Sequence, residues 1–338
     1  MATISEYLEI VLEGGDLSLE QARGLLDTIF EGEVEDVQIA AFLAAMRAKG
    51  ASPVELAGLA SSLRGHAVRV EGGVANLVDT CGTGGARLKT FNISTASAIV
   101  VAGAGVTVAK HGNKGITSNC GSADVLEALG VNIAPGPDVV GECIREAGIG
   151  FMFAPKFHPA MKYVQPIRKL LGFRTVFNIL GPLANPAGAG AQVMGVADES
   201  LMGKIIETLK ELGVGRAMVV HSDGLDEIST MGTTKILELN GGEITASQVN
   251  PLDFGFDPAD YESLKGGNAA VNAEIVRGVI CGSDTGPRRD IVVINAAAAL
   301  VVAGLADGFK EGIELADNSI GDGKAKAVLD KFIEVSNK

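Results

Sequence analysis

The stretch from Asp79 to Thr95, DTCGTGGARLKTFNIST, decides how the rest of the chain is read. It follows a short apolar run, Ala75 to Val78, and places Gly82, Gly84 and Gly85 within four positions. Asn92, Ser94 and Thr95 then stand where a helix is expected to begin. Glycine lets backbone N–H groups approach an anion closely. A helix start leaves N–H groups without intrahelical partners, and its dipole favours negative charge. The stretch therefore reads as strand, phosphate-holding turn and helix. A strand-to-helix turn that needs glycine for packing alone would read the same way from these residues.

Outward from that turn, short β-branched runs alternate with helical stretches from about residue 75. Residues 106–109, 149–153 and 217–221 read as buried strands, and 93–103, 122–129, 137–147 and 201–212 as helices. Such alternation implies βαβ units and a mostly parallel sheet. Residues 234–248 read as a β-hairpin turning at Asn240–Gly241–Gly242. The Ala-rich stretch 290–304 and residues 324–336 return to helix. Upstream, Thr3 with Glu6, Ser18 with Gln21, and Ser52 with Glu55 each match a capping box, and Pro53 sits at a first helical position. Leu19, Ala22, Leu25, Leu26, Ile29 and Phe30 recur at helical spacing. The expected fold class is α/β, with a small helical domain (1–70) and a large α/β domain (71–338) whose central, mostly parallel sheet is flanked by helices.

Composition narrows the function classes. Apolar residues make up 47% and charged residues 20% of 338 positions, enough for a sizeable core and incompatible with a disordered chain. Net charge is −13, Trp is absent and no long Lys/Arg run is present, so nucleic acid is not an expected partner. Cys81, Cys120, Cys143 and Cys281 lie far apart without a CxxC pair, which fits a reducing cytoplasm rather than a zinc site or disulfide framework. The start carries acids and no basic n-region, unlike a signal peptide. Residues 291–306 are apolar but shorter than the roughly 20 residues a membrane span needs, so a buried helix is expected and no membrane partner.

Three further clusters carry chemistry. Lys110 to Gly130 leaves a strand and enters a helix with Ser122 as expected N-cap; Lys110, His111, Asn113, Lys114, Thr117 and Ser118 lie between. At the C-terminal end of a strand this set forms a second wall of an anion site, because ligands of open α/β sheets bind there. It also matches an ordinary solvated loop. His221 to Ser229 follows another strand and carries adjacent Asp226 and Glu227, hard oxygen donors suited to Mg²⁺ alongside substrate phosphates. Acids decorating a helix start would look alike. In Phe151 to Pro186, Arg168 sits among apolar helical neighbours, where its fork suits either a ligand carboxylate or an interhelical ion pair.

Taken in order, GTGG with NIST, KHGN, GSADVLEALG, HPAM, RTVFNILGPLANP, DGLDE and RRDIVVINAAAAL resemble the anthranilate phosphoribosyltransferase family from end to end. The resemblance implies transfer of the phosphoribosyl group of phosphoribosyl pyrophosphate (PRPP) to anthranilate in tryptophan biosynthesis. It also implies Mg²⁺, two ions per subunit, and a homodimer formed through the helical parts, which include helices near 160–178. Carried over by position, Gly82, Gly85, Ala86, Thr90, Asn92, Ile93, Ser94 and Thr95 would line the PRPP site. So would Lys110, His111, Gly112, Asn113, Lys114, Gly115, Ile116, Thr117, Ser118 and Ser122. Gly82, Asn113 and Arg168 would contact anthranilate, Ser94, Asp226 and Glu227 would reach the metal, and His111 is the candidate proton acceptor.

One departure stands out. The family commonly has Asp–Gly after GTGG, where this chain has Ala86–Arg87. Loss of the acid is expected to alter Mg²⁺ dependence, and Arg87 to offer charge directly to a phosphate. Two other readings compete. A pyrimidine nucleoside phosphorylase shares the architecture but does not account for NIST, KHGN, DGLDE and Arg168 together. An inactive, nucleic-acid-binding relative has the altered loop in its favour and the charge and retained acids against it.

Overall fold

The computed structural model describes residues 3–71, 73–115 and 119–338. Four helices come first: α1 (Ile4–Leu12), α2 (Leu19–Glu31), α3 (Asp36–Lys49) and α4 (Pro53–Gly65). All three expected capping boxes form, at Thr3, Ser18 and Ser52, each satisfying backbone N–H groups that the helix leaves open.

A seven-stranded sheet follows. Its strands are β1 (Val78–Gly82), β2 (Val108–Gly112), β3 (Ile149–Phe153), β4 (Ala191–Gly195), β5 (Arg216–Ser222), β6 (Thr234–Asn240) and β7 (Glu243–Val249). They lie in the order β3-β2-β1-β4-β5-β6-β7. The first five are parallel, and β6 and β7 add the expected hairpin antiparallel at the edge. Interleaved are α5 (Ile93–Gly103), α6 (Ser122–Leu129), α7 (Pro137–Ala147), α8 (Ala154–Phe157), α9 (Gln165–Leu171), α10 (Phe177–Leu183) and α11 (Met202–Glu211). After the hairpin come α12 (Tyr261–Leu264), α13 (Ala269–Ile280), α14 (Pro287–Ala303), α15 (Phe309–Gly321) and α16 (Lys324–Ser336).

The sheet divides the apolar interior. Met218 and Val220 of β5 face a core shared with α5, α6, α13, α14 and α16. Ala217 and Val219, the alternate positions, face a second core. That second core runs without a break into α2, α3 and α4, and takes in Ile167 of α9, Phe177 and Leu180 of α10, and Ile205 of α11. The early helices are thus packed together with residues from 164–184. α14 is buried from Ile291 to Val302, as its composition predicts, and truncating one of its large side chains would cost about 2–5 kcal/mol. Among the described residues no helix is long and apolar enough to cross a membrane.

Four expectations shift. The first strand begins at Val78, where the predicted run ended, and the second covers 108–112 rather than 106–109. Ser122 is the first residue of α6 and Gly121 is its N-cap; the Asp124 carboxylate accepts from Gly121 N–H at 2.8 Å. The strand β4 has no counterpart among the predicted elements. It is short, and its Gln192 breaks the apolar run; the structure accommodates that amide by donation to the Pro182 carbonyl (2.7 Å) and to Cys81 sulfur (3.2 Å).

Candidate functional site

The sheet order reverses between β1 and β4, whose chains leave in opposite directions, and open sheets bind ligands in the crevice that such a reversal creates. Gly82 ends β1 and pairs with Gly195, which ends β4. Both are glycine because the Asp226 loop lies across them. A Cβ on Gly82 would sit 2.5 Å from Asp226 Oδ2, and one on Gly195 would overlap the Asp226 carbonyl. The Thr83 N–H donates to the Gly195 carbonyl (2.9 Å), and the Gly84 N–H to Asp226 Oδ2 (3.2 Å). The glycine turn thus folds over the strand tips onto an acid from 142 positions away.

Charge converges beside it. The Ser94 N–H, in the first turn of α5, donates to Glu227 Oε1 at 3.3 Å, so the carboxylate sits on the positive end of that helix. Lys110 is 2% exposed; its ammonium donates to the Thr80 carbonyl and reaches Ser94 Oγ at 3.5 Å. Beneath them Asp79 is fully buried, accepting from Asn185 Nδ2 (2.8 Å) and from the His111 N–H (3.3 Å). Burial pushes the Asp79 carboxyl up to about 6, against the pull of Lys110. Burial, and then the neighbouring Asp226 charge, pushes Glu227 up to about 8; burial also raises Asp226 and lowers Lys110. Three carboxyl groups, Asp79, Asp226 and Glu227, thus share one lysine, and burial is the first cause of each shift.

The cavity above these groups has a volume of about 730 Å³ and extends to the helices of residues 154–181. There Arg168 donates to Gln165 Oε1 (3.1 Å) and its guanidinium lies 5.4 Å from the Phe177 ring centre. Among the described residues no carboxylate is within ion-pair distance of it, which removes the interhelical-pair alternative. Between the two ends stand His111 and His158, 7% and 5% exposed, with ring centres 5.0 Å apart in an edge-on contact. Burial holds both well below the ordinary imidazole range, His111 at about 3 and His158 at about 4, so both are neutral near pH 7. A ring with so low a pKa is a poor general base, which weighs against His111 as proton acceptor.

Every sequence-predicted site residue within the described part lines this one cavity: Gly82, Gly85, Ala86, Thr90, Asn92 to Thr95, Lys110 to Gly115, Ser122, Arg168, Asp226 and Glu227. Ile116, Thr117 and Ser118 lie outside the described residues. Arg87 departs from expectation. Its side chain is 81% exposed, pairs with Asp223 at 3.0 Å, and is not part of the cavity wall. Lys89 lines the wall but donates to the Ala86 carbonyl (2.7 Å). Sequence reading missed Arg174, whose guanidinium stands in the cavity 2.5 Å from where a Gly85 Cβ would be. Its position inside RTVFNILGPLANP was the available signal. The amide of Asn92 is held at both ends, donating to the Cys120 carbonyl (3.2 Å) and accepting from Asn272 Nδ2 (2.9 Å).

The donor set fits Mg²⁺. Among the described residues no three His, Cys, Asp or Glu side chains gather closely enough to cage a metal by themselves. Asp226 and Glu227 supply two hard carboxylates with the Ser94 hydroxyl near them. Mg²⁺ takes that number of protein ligands and fills its octahedron with water and substrate phosphate. A cation there would also favour the charged form of both carboxyls, against the burial that raises their pKa values.

Residues 5–67 match the glycosyl transferase family helical bundle domain, and residues 74–326 the glycosyl transferase family a/b domain. An anthranilate phosphoribosyltransferase of Methanocorpusculum labreanum is 51% identical over 98% of either chain. The crystal structure of the enzyme of that name from Thermus thermophilus superposes with a TM-score of 0.92 at 40% identity, covering 98% of this chain and 99% of that one. The Saccharomyces cerevisiae anthranilate phosphoribosyltransferase in complex with PRPP and Mg superposes at 0.88 and 28% identity, covering 99% and 98%.

Proposed function

The chain belongs to the anthranilate phosphoribosyltransferase family, and from that premise we propose how its own residues carry the reaction. It is a glycosyltransferase that moves the phosphoribosyl group of PRPP to the amine of anthranilate, releasing pyrophosphate, in tryptophan biosynthesis, and it uses Mg²⁺. The observation that carries the residue assignment is the two-ended cavity. One end holds Asp226, Glu227 and Lys110 at the strand tips; the other holds an Arg168 with no acid partner.

In the reaction the amine lone pair forms the N–C1 bond as the C1–O bond breaks, and pyrophosphate leaves with the electron pair. The C1 centre inverts, and the ribose carries oxocarbenium-like charge in the transition state. The metal, held by Asp226, Glu227 and Ser94, supplies positive charge to the departing phosphates. The Gly82–Gly85 turn and the start of α5 border the same anion, and the dipole of that helix favours negative charge there. Lys110 adds its charge from below. Arg168 holds the anthranilate carboxylate, with Asn113 and Gly82 along the path, so the amine meets C1 in a defined orientation. The aromatic amine acidifies as it attacks and gives its proton to leaving pyrophosphate or water, without a dedicated base. His111 then shapes the wall between the two ends.

The reading extends to organisation. We place the helical domain at residues 1–70 with 160–178, and the α/β domain over 71–338, supported by the shared second core. Two Mg²⁺ ions per subunit would bind. A homodimer through the helical part is supported by the exposed apolar side chains Leu12, Val37 and Leu170, 68%, 74% and 87% exposed. A cytoplasmic location is supported by four cysteines, none of which forms a disulfide. The test is the loss of anthranilate fluorescence on mixing protein, PRPP and Mg²⁺. Loss only with all components supports the reading; no loss from a folded sample at any Mg²⁺ concentration defeats it.

A further inference from the structure

Asn295 is the lone polar side chain in the buried run Ile291–Val302, and it is 4% exposed. An asparagine there is disfavoured twice, by its helix propensity and by the loss of hydration of its amide. The amide is fully used. Its Oδ1 accepts from the Ile228 N–H (2.9 Å), and its Nδ2 donates to the Ile228 carbonyl (2.8 Å) and to Ile291 of its own helix (2.8 Å). One side chain, 67 positions away in sequence, thus satisfies both main-chain groups of Ile228.

Ile228 is the residue directly after Asp226 and Glu227. Just before it, the Glu227 carbonyl accepts from Ser222 Oγ at 3.0 Å. These bonds fix the backbone on the C-terminal side of the acid pair, while α14 itself packs against β1, β4 and β5 and is buried from Ile291 to Val302. On the other side the carboxylates meet the Gly84 and Ser94 N–H groups. A shift of the backbone at Ile228 would move both carboxylates off those donors. Two adjacent acids repel one another, so they stay in place only where the chain carrying them is held.

We propose that Asn295 is a positioning residue for the reaction: through Ile228 it holds the Asp226–Glu227 pair where a divalent cation and the departing pyrophosphate meet them. The assignment rests on reading those acids as the cation ligands. It adds a residue on the Ala-rich core helix that touches neither substrate nor metal.

The test compares Asn295→Leu and Asn295→Asp with Leu300→Ala, a truncation five residues further along the same helix that removes no hydrogen bond to the acid loop. For each, the Mg²⁺ half-saturation of activity, both KM values and Tm are measured. Amide exchange over residues 225–229 is followed without metal. Residues that orient metal ligands typically change metal affinity or activity about 10- to 100-fold on substitution. Both Asn295 variants should raise the Mg²⁺ half-saturation into that range and speed exchange at 225–229, with the anthranilate KM unchanged. Leu300→Ala should lower Tm alone. Asn295 variants that lose Tm but keep Mg²⁺ half-saturation and exchange within about two-fold of the parent would overturn the proposal. In the parent protein the Ile228 amide should exchange as slowly as the interior of α14. Exchange there at a free-loop rate would overturn it also, whether or not the variants fold. Asp226→Asn in the parent background separates the two layers. An unchanged Mg²⁺ titration there would defeat the acid assignment itself, whereas a shifted titration with inert Asn295 variants would defeat only Asn295.

Discussion

At the strand-tip end of the cavity, Lys110 is held by Thr80 and Ser94, Glu227 by the start of α5, and Asp226 by the glycine turn. At the helical end, Arg168 has the Gln165 amide and one face of Phe177, and Arg174 stands exposed against Gly85. The first set stands on the parallel sheet and its switch point. The second stands on α9 and the turn after it, seven residues of helix closed by Gly172. Pyrophosphate and metal place strict demands on charge and geometry, and a rigid sheet meets them. An aromatic carboxylate must enter and align, and a short helix with a partly free arginine leaves room for that.

The difference can be broken at the rigid end first. Asp226→Asn with Glu227→Gln should lower kcat on the order of 10²–10³-fold with the fold retained by circular dichroism. Near-parental turnover would remove the charge-clamping role from this end. At the other end, Arg168→Ala should raise the anthranilate KM about 10- to 100-fold, the worth of a charge-assisted hydrogen bond, with the PRPP KM steady. Equal changes in both constants would make Arg168 structural and the two ends one.

The histidine wall sharpens the comparison through pH. His158 is about 4 in the folded chain against about 6.5 unfolded. The unfolded state therefore binds the extra proton as pH falls, and stability is lost on going down through that window. His158→Gln should recover about 2 kcal/mol of the parent's loss between pH 7 and pH 5, measured by urea unfolding. A variant as acid-sensitive as the parent would show that the ring is protonated in the fold. The smallest effects belong to the altered turn. Ala86→Asp should shift the Mg²⁺ titration about two- to five-fold, and Arg87→Ala should leave the PRPP KM within about two-fold, because the Arg87–Asp223 pair is solvent-exposed. A larger Arg87 effect would mean that the turn closes over substrate and brings that side chain inward.

Much of this arrangement was legible in the residues. The helices 93–103, 122–129, 137–147 and 324–336 and the strand 149–153 have the bounds their periodicity and caps predicted. These signals are local: a cap, an apolar stripe, a Gly or Pro at an end. β4 was not legible, because a five-residue strand with Gln192 at its second position carries little local pattern. Arg87 was misplaced because a basic residue in a phosphate turn announces charge without direction. Asp223, 136 positions away, sets the direction. Asn295 interrupts an apolar run, but its partner Ile228 is a main-chain contact that no side-chain motif announces.

By itself, then, the sequence determined the chemical equipment and its local settings. It put hard acids after one strand, glycines and helix-start donors after another, and an arginine on an apolar helix. Only the tertiary structure decided that β4 lies beside β1, so that Gly82 and Gly195 meet and leave room for Asp226 between them. Strand order is settled by pairing and burial between segments more than a hundred residues apart. The hydrogen bonds and apolar area that select it exist only once those segments have met.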